Sequence, residues 1–197
     1  MKLEEKDSPS KNDQIEAYLS ALYEFRYNTV LHRAEYRLRG KGDYTAVDRY
    51  RINTLKRALD KEANIQTSTD NLYSIIESDF SPRINPVQDY FRALPLTKGN
   101  AEAITALADC VRVTNSEKWE EYLTKWLVAV VANAMDDKQC RNHTCLVLTG
   151  EQGKFKTTFL DLLCPPALSD YRYTGKIYPQ EKDVLSLIGQ NLIINID

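Results

Sequence analysis

The sequence predicts an α/β protein in which a strand–loop–helix core follows a layer of helices and a small α+β N-terminal region. Three observations support this prediction. Residues 144–163 run from an apolar stretch through a glycine loop and a Lys-Thr pair into a helical pattern. A second apolar stretch, Leu192–Ile196, ends on the carboxylate of Asp197. Ahead of both, residues 81–143 show helical periodicity.

The N-terminal part of the chain is predicted to be a short disordered lead followed by an α+β region. Residues 1–12 are charged and contain Ser and Pro, with little apolar surface to bury. The α+β region then covers residues 13–80 and includes two short strands around His32 and Arg33. Its helices are expected over Asp13–Glu24, Tyr44–Asn64 and Asn71–Asp79.

A proline-containing boundary separates this region from the helical one. Pro82 and Pro86 bar helix continuation and bias the preceding residues toward extended geometry. Helices are then expected over Val87–Leu94, Ala101–Val111 and Glu117–Met135. Trp119 and Trp126 share the broad apolar face of the last helix, which predicts that they are core residues rather than a platform for nucleobases.

The loop after residue 149 has the pattern of a phosphate-binding loop. Backbone N–H groups of such a loop, and of the helix that follows, converge on an anion. Lys156 would reach the β- and γ-phosphates of a nucleoside triphosphate, and the Thr157 hydroxyl would bind Mg²⁺. The strict pattern has glycine where this chain has Phe155, because the backbone there approaches phosphate closely or takes an unusual dihedral. The nucleotide-binding residues expected from the pattern are Gly150, Gly153, Lys154, Lys156, Thr157 and Thr158.

Asp197 is expected to hold the Mg²⁺ shell from the strand that neighbours the loop strand. Residues 144–197 are therefore predicted to be a P-loop NTPase core that is incomplete at its C-terminal end, since the sequence stops before a residue that activates water. The alternatives are an ordinary strand–turn–helix with a surface lysine, and a solvated aspartate at a strand end. No catalytic residue is predicted within this chain.

Basic residues concentrate in the N-terminal part. Ten basic and four acidic residues lie between Arg26 and Lys61, although the whole chain has a net charge of −2. Cations that alternate with aromatic residues suit single-stranded nucleic acid. The alternative is a charged strand face that keeps the hairpin soluble. The expected contacts with single-stranded DNA are Arg26, Arg33, Arg37 and Arg39.

The composition indicates a cytoplasmic protein. No apolar run approaches the length that spans a bilayer, and the N-terminus lacks the apolar stretch of a secretory signal. The four cysteines fit that compartment as free thiols. The Cys140-x-x-His143-x-Cys145 spacing supplies three ligands where a structural zinc site needs four, so zinc is not predicted.

Several segments together resemble the virulence-associated protein E family over roughly residues 80–197. The hairpin over Phe25–Tyr36 looks like the segment that often precedes this region. The resemblance implies a superfamily 3 helicase of phage and mobile elements, often joined to a primase, and therefore a role in DNA replication. The segments that carry it are Asn85–Phe91, the Trp119/Trp126 helix, the Gly150–Thr158 loop and Asn191–Asp197.

The resemblance also implies ATP and Mg²⁺ as cofactors, and a homo-oligomer for the longer protein. The second acidic residue, the sensor strand and the arginine finger of such helicases would lie beyond Asp197. We therefore expect a fragment that binds nucleotide weakly and has negligible turnover alone. Two alternatives are a non-enzymatic DNA-binding or interaction module with a degenerate loop, and a primase-associated connector that docks through residues 13–80.

Overall fold

The structure is a computed structural model that describes residues 9–95, 101–137, 142 and 144–196. It shows a mixed α/β protein with two compact units, Met1–Asn85 (unit 1) and Pro86–Asp197 (unit 2). None of the described helices is long and apolar enough to cross a membrane. Asp197, Cys140 and His143 lie outside the described residues, so their predicted roles, or lack of them, stay predictions.

Unit 1 combines helices with a four-stranded sheet of strand order β3-β2-β1-β4. Strands β1, β2 and β3 are antiparallel neighbours, and β4 pairs in parallel with β1. The core between helices and sheet includes Ile15, Leu19, Ile52 and Leu59. The elements are α1 (Lys11–Leu22), β1 (Tyr23–Asn28), β2 (Arg33–Leu38), β3 (Lys41–Ala46), α2 (Arg49–Ala63), α3 (Thr69–Ile76) and β4 (Arg83–Ile84).

The first helix begins inside the segment that the sequence predicted to be disordered. The Ser10 hydroxyl accepts a hydrogen bond from the Asp13 backbone N–H, and the Asp13 carboxylate accepts one from the Ser10 N–H. This reciprocal capping satisfies two N–H groups that the helix itself leaves without acceptors. The prediction of a disordered lead is therefore wrong for residues 10–12.

Strand β3 replaces the start of a predicted helix. Residues 44–46 were expected to be helical, but they belong to a strand that follows β2 after a tight turn. Gly40 in the turn and Gly42 at the start of β3 have φ angles of 66° and 71°. Helix α2 begins only at Arg49, because Asp48 caps it by accepting a hydrogen bond of 2.8 Å from the Arg51 N–H. The apolar residues of β3 and α2 together imitate one longer helical pattern.

Unit 2 contains helices and a two-stranded parallel sheet. Its helices lie close to the predicted positions. A core of Ala108, Trp119 and Leu123 joins α5 to α6, and Phe159 and Leu163 pack against it. The elements are α4 (Pro86–Ala93), α5 (Ala101–Asp109), α6 (Ser116–Met135), α7 (Lys156–Leu162), a 3-10 helix (Pro166–Tyr171), β5 (Arg172–Gly175), α8 (Val184–Gln190) and β6 (Ile193–Ile196).

Candidate phosphate-binding site

The glycine loop turns through three residues with positive φ before α7 begins. These are Gly150 (φ 150°), Gly153 (φ 80°) and Phe155 (φ 57°). Helix α7 starts directly afterwards, at Lys156. The first amides of an α-helix lack intrahelical acceptors and carry the positive end of the helix dipole, so a loop of this form presents N–H donors suited to an anion.

Phe155 has the backbone conformation that explains why glycine is usual at this position. Its φ and ψ are 57° and 25°, in the left-handed region, and 78% of its side chain is exposed. A left-handed conformation costs a residue with a Cβ about 1–2 kcal/mol. Phe155 therefore adopts the turn with a conformational penalty and without apolar burial to offset it.

Lys156 folds back across its own loop. Its Nζ donates hydrogen bonds to the backbone oxygens of Gly150 (3.0 Å) and Glu151 (2.7 Å). Lys154 lies 3.4 Å from the Glu151 carboxylate, and both side chains are largely exposed, so this ion pair contributes little stability. The ammonium group of Lys156 is thus held by neutral acceptors.

Strand β6 is fastened to the helix that follows the loop. The Asn195 side chain is buried, and its Nδ2 donates to the Thr157 backbone oxygen (3.1 Å) and to Asp161 Oδ1 (2.9 Å). Thr174 of β5 donates a second hydrogen bond, of 2.6 Å, to the same carboxylate oxygen. Both strands of the sheet are therefore tied to α7 by polar contacts.

Asp161 and Asn195 connect β6 to α7, and the sequence analysis did not predict a role for either residue. Burial alone would raise the pKa of Asp161, but hydrogen bonds from Asn195 and Thr174, with the charge of Arg172, bring the pKa below its ordinary 3.8. Asp161 is therefore a carboxylate at neutral pH and accepts these bonds permanently. The sequence feature that could have indicated these contacts is Asn195, a polar residue inside the apolar run Leu192–Ile196, because a buried amide requires hydrogen-bond partners.

The segment that leads into the loop, residues 144–149, is not a strand in the structure, and the prediction of one is wrong. Within the described residues, β5 and β6 pair with each other, and neither pairs with this segment. The alternation of side chains is nevertheless kept. Leu146 and Leu148 pack against the Trp119 core, whereas Val147 is 72% exposed. Apolar packing thus places the loop without the ladder of hydrogen bonds that defines a strand.

Of the two tryptophans of α6 that were predicted to be core residues, one is buried and the other is only half-buried. Trp119 is buried, and its Nε1 donates to the Ala108 backbone oxygen at 3.0 Å. Trp126 is half-buried, and both tryptophans line an open groove of about 390 Å³ with Tyr122 and Thr144–Val147. The prediction of a core role is confirmed for Trp119, whereas Trp126 is only half-buried and lies outside the core cluster of Ala108, Trp119 and Leu123.

The four arginines predicted to contact DNA all have intramolecular partners. Arg26 and Arg33 both bind the buried carboxylate of Glu35, at 2.7 Å and 3.0 Å. Arg37 pairs with Glu24 at 2.6 Å, and Arg39 donates to the Ser20 backbone oxygen. These arginines would have to give up these bonds to contact phosphate, and their role in DNA binding stays a prediction.

The described residues include no cluster of three His, Cys, Asp or Glu side chains that could hold a metal ion. Thr157 lies in the first turn of α7, where it was expected, but its proposed companion Asp197 is outside the described residues. Binding of phosphate and of Mg²⁺ at this loop both stay predictions.

The loop, its helix and the strand fastened to that helix define a candidate anion site in the C-terminal half of the chain. The model of the virulence-associated protein E-like domain matches residues 95–197, which include all of these elements. Because this match covers more than half of the sequence, the chain belongs to the virulence-associated protein E-like domain family. Residues 80–94 and the N-terminal hairpin lie outside the match. No curated protein and no solved structure matches the chain.

Proposed function

We propose that this chain is the nucleotide-binding part of a helicase-like, ATP-dependent motor that acts in DNA replication of a phage or mobile element. The family membership supplies the context. The observation that carries the proposal is the junction of Gly150–Phe155 with α7, where a turn of positive φ angles leads directly into a helix N-terminus beside Lys156.

Triphosphate binding would change the partners of Lys156. Its Nζ now donates to two neutral backbone oxygens, Gly150 O and Glu151 O. Hydrogen bonds from an ammonium group to phosphate are about twice as strong as those between neutral groups. A nucleotide would therefore draw Lys156 from the loop carbonyls toward its phosphates, beside the first-turn amides of Thr157 and Thr158.

The proposal also assigns roles to the metal ligands and to the other residues of the loop. Mg²⁺ would be held by Thr157 and Asp197. Gly150, Gly153 and Lys154 would line the bound phosphates. We further propose that the protein forms a homo-oligomer, acts in the cytoplasm and takes single-stranded DNA as its partner. The present chain is proposed to bind nucleotide weakly and to have negligible ATPase turnover by itself.

A titration with a fluorescent ATP analogue and Mg²⁺ tests the proposal. Loss of a charged hydrogen bond costs at least about tenfold in affinity, so Lys156→Ala should weaken binding by that factor or more. Lys182→Ala removes the same charge from an exposed position of unit 2 and serves as the matched control. Equal binding by the two variants would refute a phosphate role for Lys156.

The second candidate is a non-enzymatic DNA-binding or interaction module with a degenerate loop. The left-handed Phe155 and the self-bonded Lys156 favour it, because both describe a loop that is closed on itself. Phe155→Gly separates the two candidates. If Phe155→Gly binds the ATP analogue more tightly than the wild type does, the site is impaired but usable. If neither protein binds the analogue, the degenerate module is supported.

A further inference from the structure

Helix α2 exposes a basic face that was not assigned a role. Its buried residues, Ile52, Leu55 and Leu59, line one side of the helix. At 100° per residue, Tyr50, Arg57 and Lys61 lie on the opposite side, and all three are exposed. The exposed residues of this helix, called here the α2 basic face, are Arg49, Tyr50, Asn53, Thr54, Lys56, Arg57, Asp60, Lys61 and Glu62.

The cations of the α2 basic face lack acidic partners in the part of the chain that the structure describes. Arg49, Lys56, Arg57 and Lys61 form no ion pair there, although Asp60 lies on the same side of the helix. The neighbouring Arg51 does form one, with the capping residue Asp48 at 2.7 Å. Four cations against two carboxylates, Asp60 and Glu62, leave this face with a net positive charge.

This pattern differs from that of the arginines in the hairpin. Arg26, Arg33 and Arg37 are each bound to a carboxylate, and two of them also lie over the Tyr44 ring, at 3.8 Å and 4.5 Å. Recruiting them to a phosphate would break an ion pair. The α2 cations would exchange only water for phosphate, so the electrostatic gain is not offset by a lost internal partner.

The dimensions of the α2 basic face suit a nucleic-acid strand. Tyr50 and Lys61 are eleven residues apart, which corresponds to about 16 Å along a helix. Successive phosphates of one stacked strand are about 3.4 Å apart along its axis, so the face spans roughly five of them. Tyr50 is 78% exposed at one end of this line and offers a ring on which a base can stack.

We propose that the α2 basic face binds the phosphodiester backbone of single-stranded DNA, with Tyr50 stacking on a base. The inference deepens the proposed function, on which it depends for DNA as the class of partner. It places the contact on α2 of unit 1 rather than on the arginines of the hairpin.

Fluorescence anisotropy of a labelled 20-nucleotide single strand tests the proposal with the full chain and without nucleotide. Arg57→Glu combined with Lys61→Glu should weaken binding by at least about tenfold, because it reverses two of the four positive charges of the face. The control is Arg112→Glu combined with Lys182→Glu. It makes the same change in net charge at exposed positions of unit 2, and circular dichroism checks that both variants fold.

The salt dependence provides a second readout. Replacing both residues with glutamine should reduce the slope of log K against log salt by about 1.4, since each neutralised phosphate of a single strand contributes about 0.7. Tyr50→Ala should weaken binding to the single strand more than binding to a duplex of equal length. Equal losses in both charge-reversal variants, no DNA binding by the wild type, or tighter binding to duplex than to single strand would overturn the proposal.

The outcomes for α2 and for the phosphate loop are separable. Variants of Arg57 and Lys61 should bind the ATP analogue as the wild type does, and Lys156→Ala should bind DNA as the wild type does. Loss of DNA binding on substitution of Arg26 or Arg37, with no loss on substitution of Arg57 and Lys61, would return the contact to the hairpin.

Discussion

The arginines around Glu35 in unit 1 and the loop lysine of unit 2 are held in different ways. In unit 1, the buried carboxylate of Glu35 accepts hydrogen bonds from Arg26, Arg33 and Asn28, and so forms the centre of an ion-pair network. In unit 2, Lys156 donates to backbone oxygens in an exposed loop. In the Glu35 network, arginine cations are paired with a carboxylate anion. In the loop, the Lys156 ammonium group is bound only by neutral backbone oxygens.

A cation that is bound by a buried carboxylate stabilises the fold, whereas a cation that is bound by exposed backbone oxygens is available to bind a ligand. Removing one member of a buried ion-pair network leaves the others uncompensated, which is costly. Moving Lys156 away from its loop carbonyls leaves only exposed oxygens that water can satisfy. Abundance of arginine in a hairpin is therefore weaker support for an anion site than one lysine whose present partners are exchangeable.

The largest expected effect comes from breaking the Glu35 network. Glu35→Gln keeps the shape of the side chain but leaves Arg26 and Arg33 without a carboxylate, so unit 1 should lose about 3 kcal/mol of stability. Both tryptophans of the chain, Trp119 and Trp126, lie in unit 2. Circular dichroism should therefore detect an earlier urea transition, while tryptophan fluorescence should show an unchanged one.

The pH dependence of unit 1 provides the control for this variant. Burial acts to raise the pKa of Glu35, but the hydrogen bonds from Arg26, Asn28 and Arg33 outweigh it and lower the pKa below its ordinary 4.5. A depressed carboxyl pKa contributes stability that is present above the ordinary value and is lost as the pH falls through the folded-state value. Wild-type unit 1 should therefore weaken below about pH 4.5. A variant that keeps the full acid sensitivity would contradict the assignment to Glu35.

Much of the fold follows from local pattern. Helix α6 has an apolar stripe long enough to be predicted from period alone, and it begins at Ser116 because Asn115 caps it by accepting from the Lys118 N–H. Strand β3 was missed because its pairing with β2, rather than an apolar run of its own, makes it a strand. Its stability depends on a neighbour that no short sequence window contains.

In the candidate site, too, local features were predicted from the sequence and long-range contacts were not. Glycine spacing predicted the loop and the start of α7, since both are local. The contacts of Asn195 with Thr157 and Asp161 span more than thirty residues of sequence and depend on tertiary packing. The Arg26–Glu35 pair was within reach, because these residues face each other across the β1–β2 hairpin. The turn over residues 29–32 determines that register.

Asn195→Ala should produce the next largest effect, and it tests whether the loop of unit 2 depends on a polar anchor. The substitution removes two hydrogen bonds from a buried site and leaves Asp161 with Thr174 as its remaining side-chain donor among the contacts described above. Unit 2 should lose about 2 kcal/mol, measured as an earlier urea transition by tryptophan fluorescence. Asn191→Ala, a residue that bonds the Leu187 backbone oxygen, is the comparison. An equal loss in both variants would show that β6 does not depend on this anchor.

The smallest expected effect isolates the backbone conformation of Phe155. Phe155→Ala and Phe155→Gly both remove an exposed ring, but only glycine adopts φ near 57° without a steric penalty. The glycine variant should therefore be about 1 kcal/mol more stable than the alanine variant, although glycine also gains entropy in the unfolded chain. Tryptophan-monitored unfolding of unit 2 measures the difference. If the glycine variant is instead less stable than the alanine variant, residue 155 does not have a left-handed backbone conformation in solution. Phe155 would then not take the place of the missing glycine of a phosphate loop.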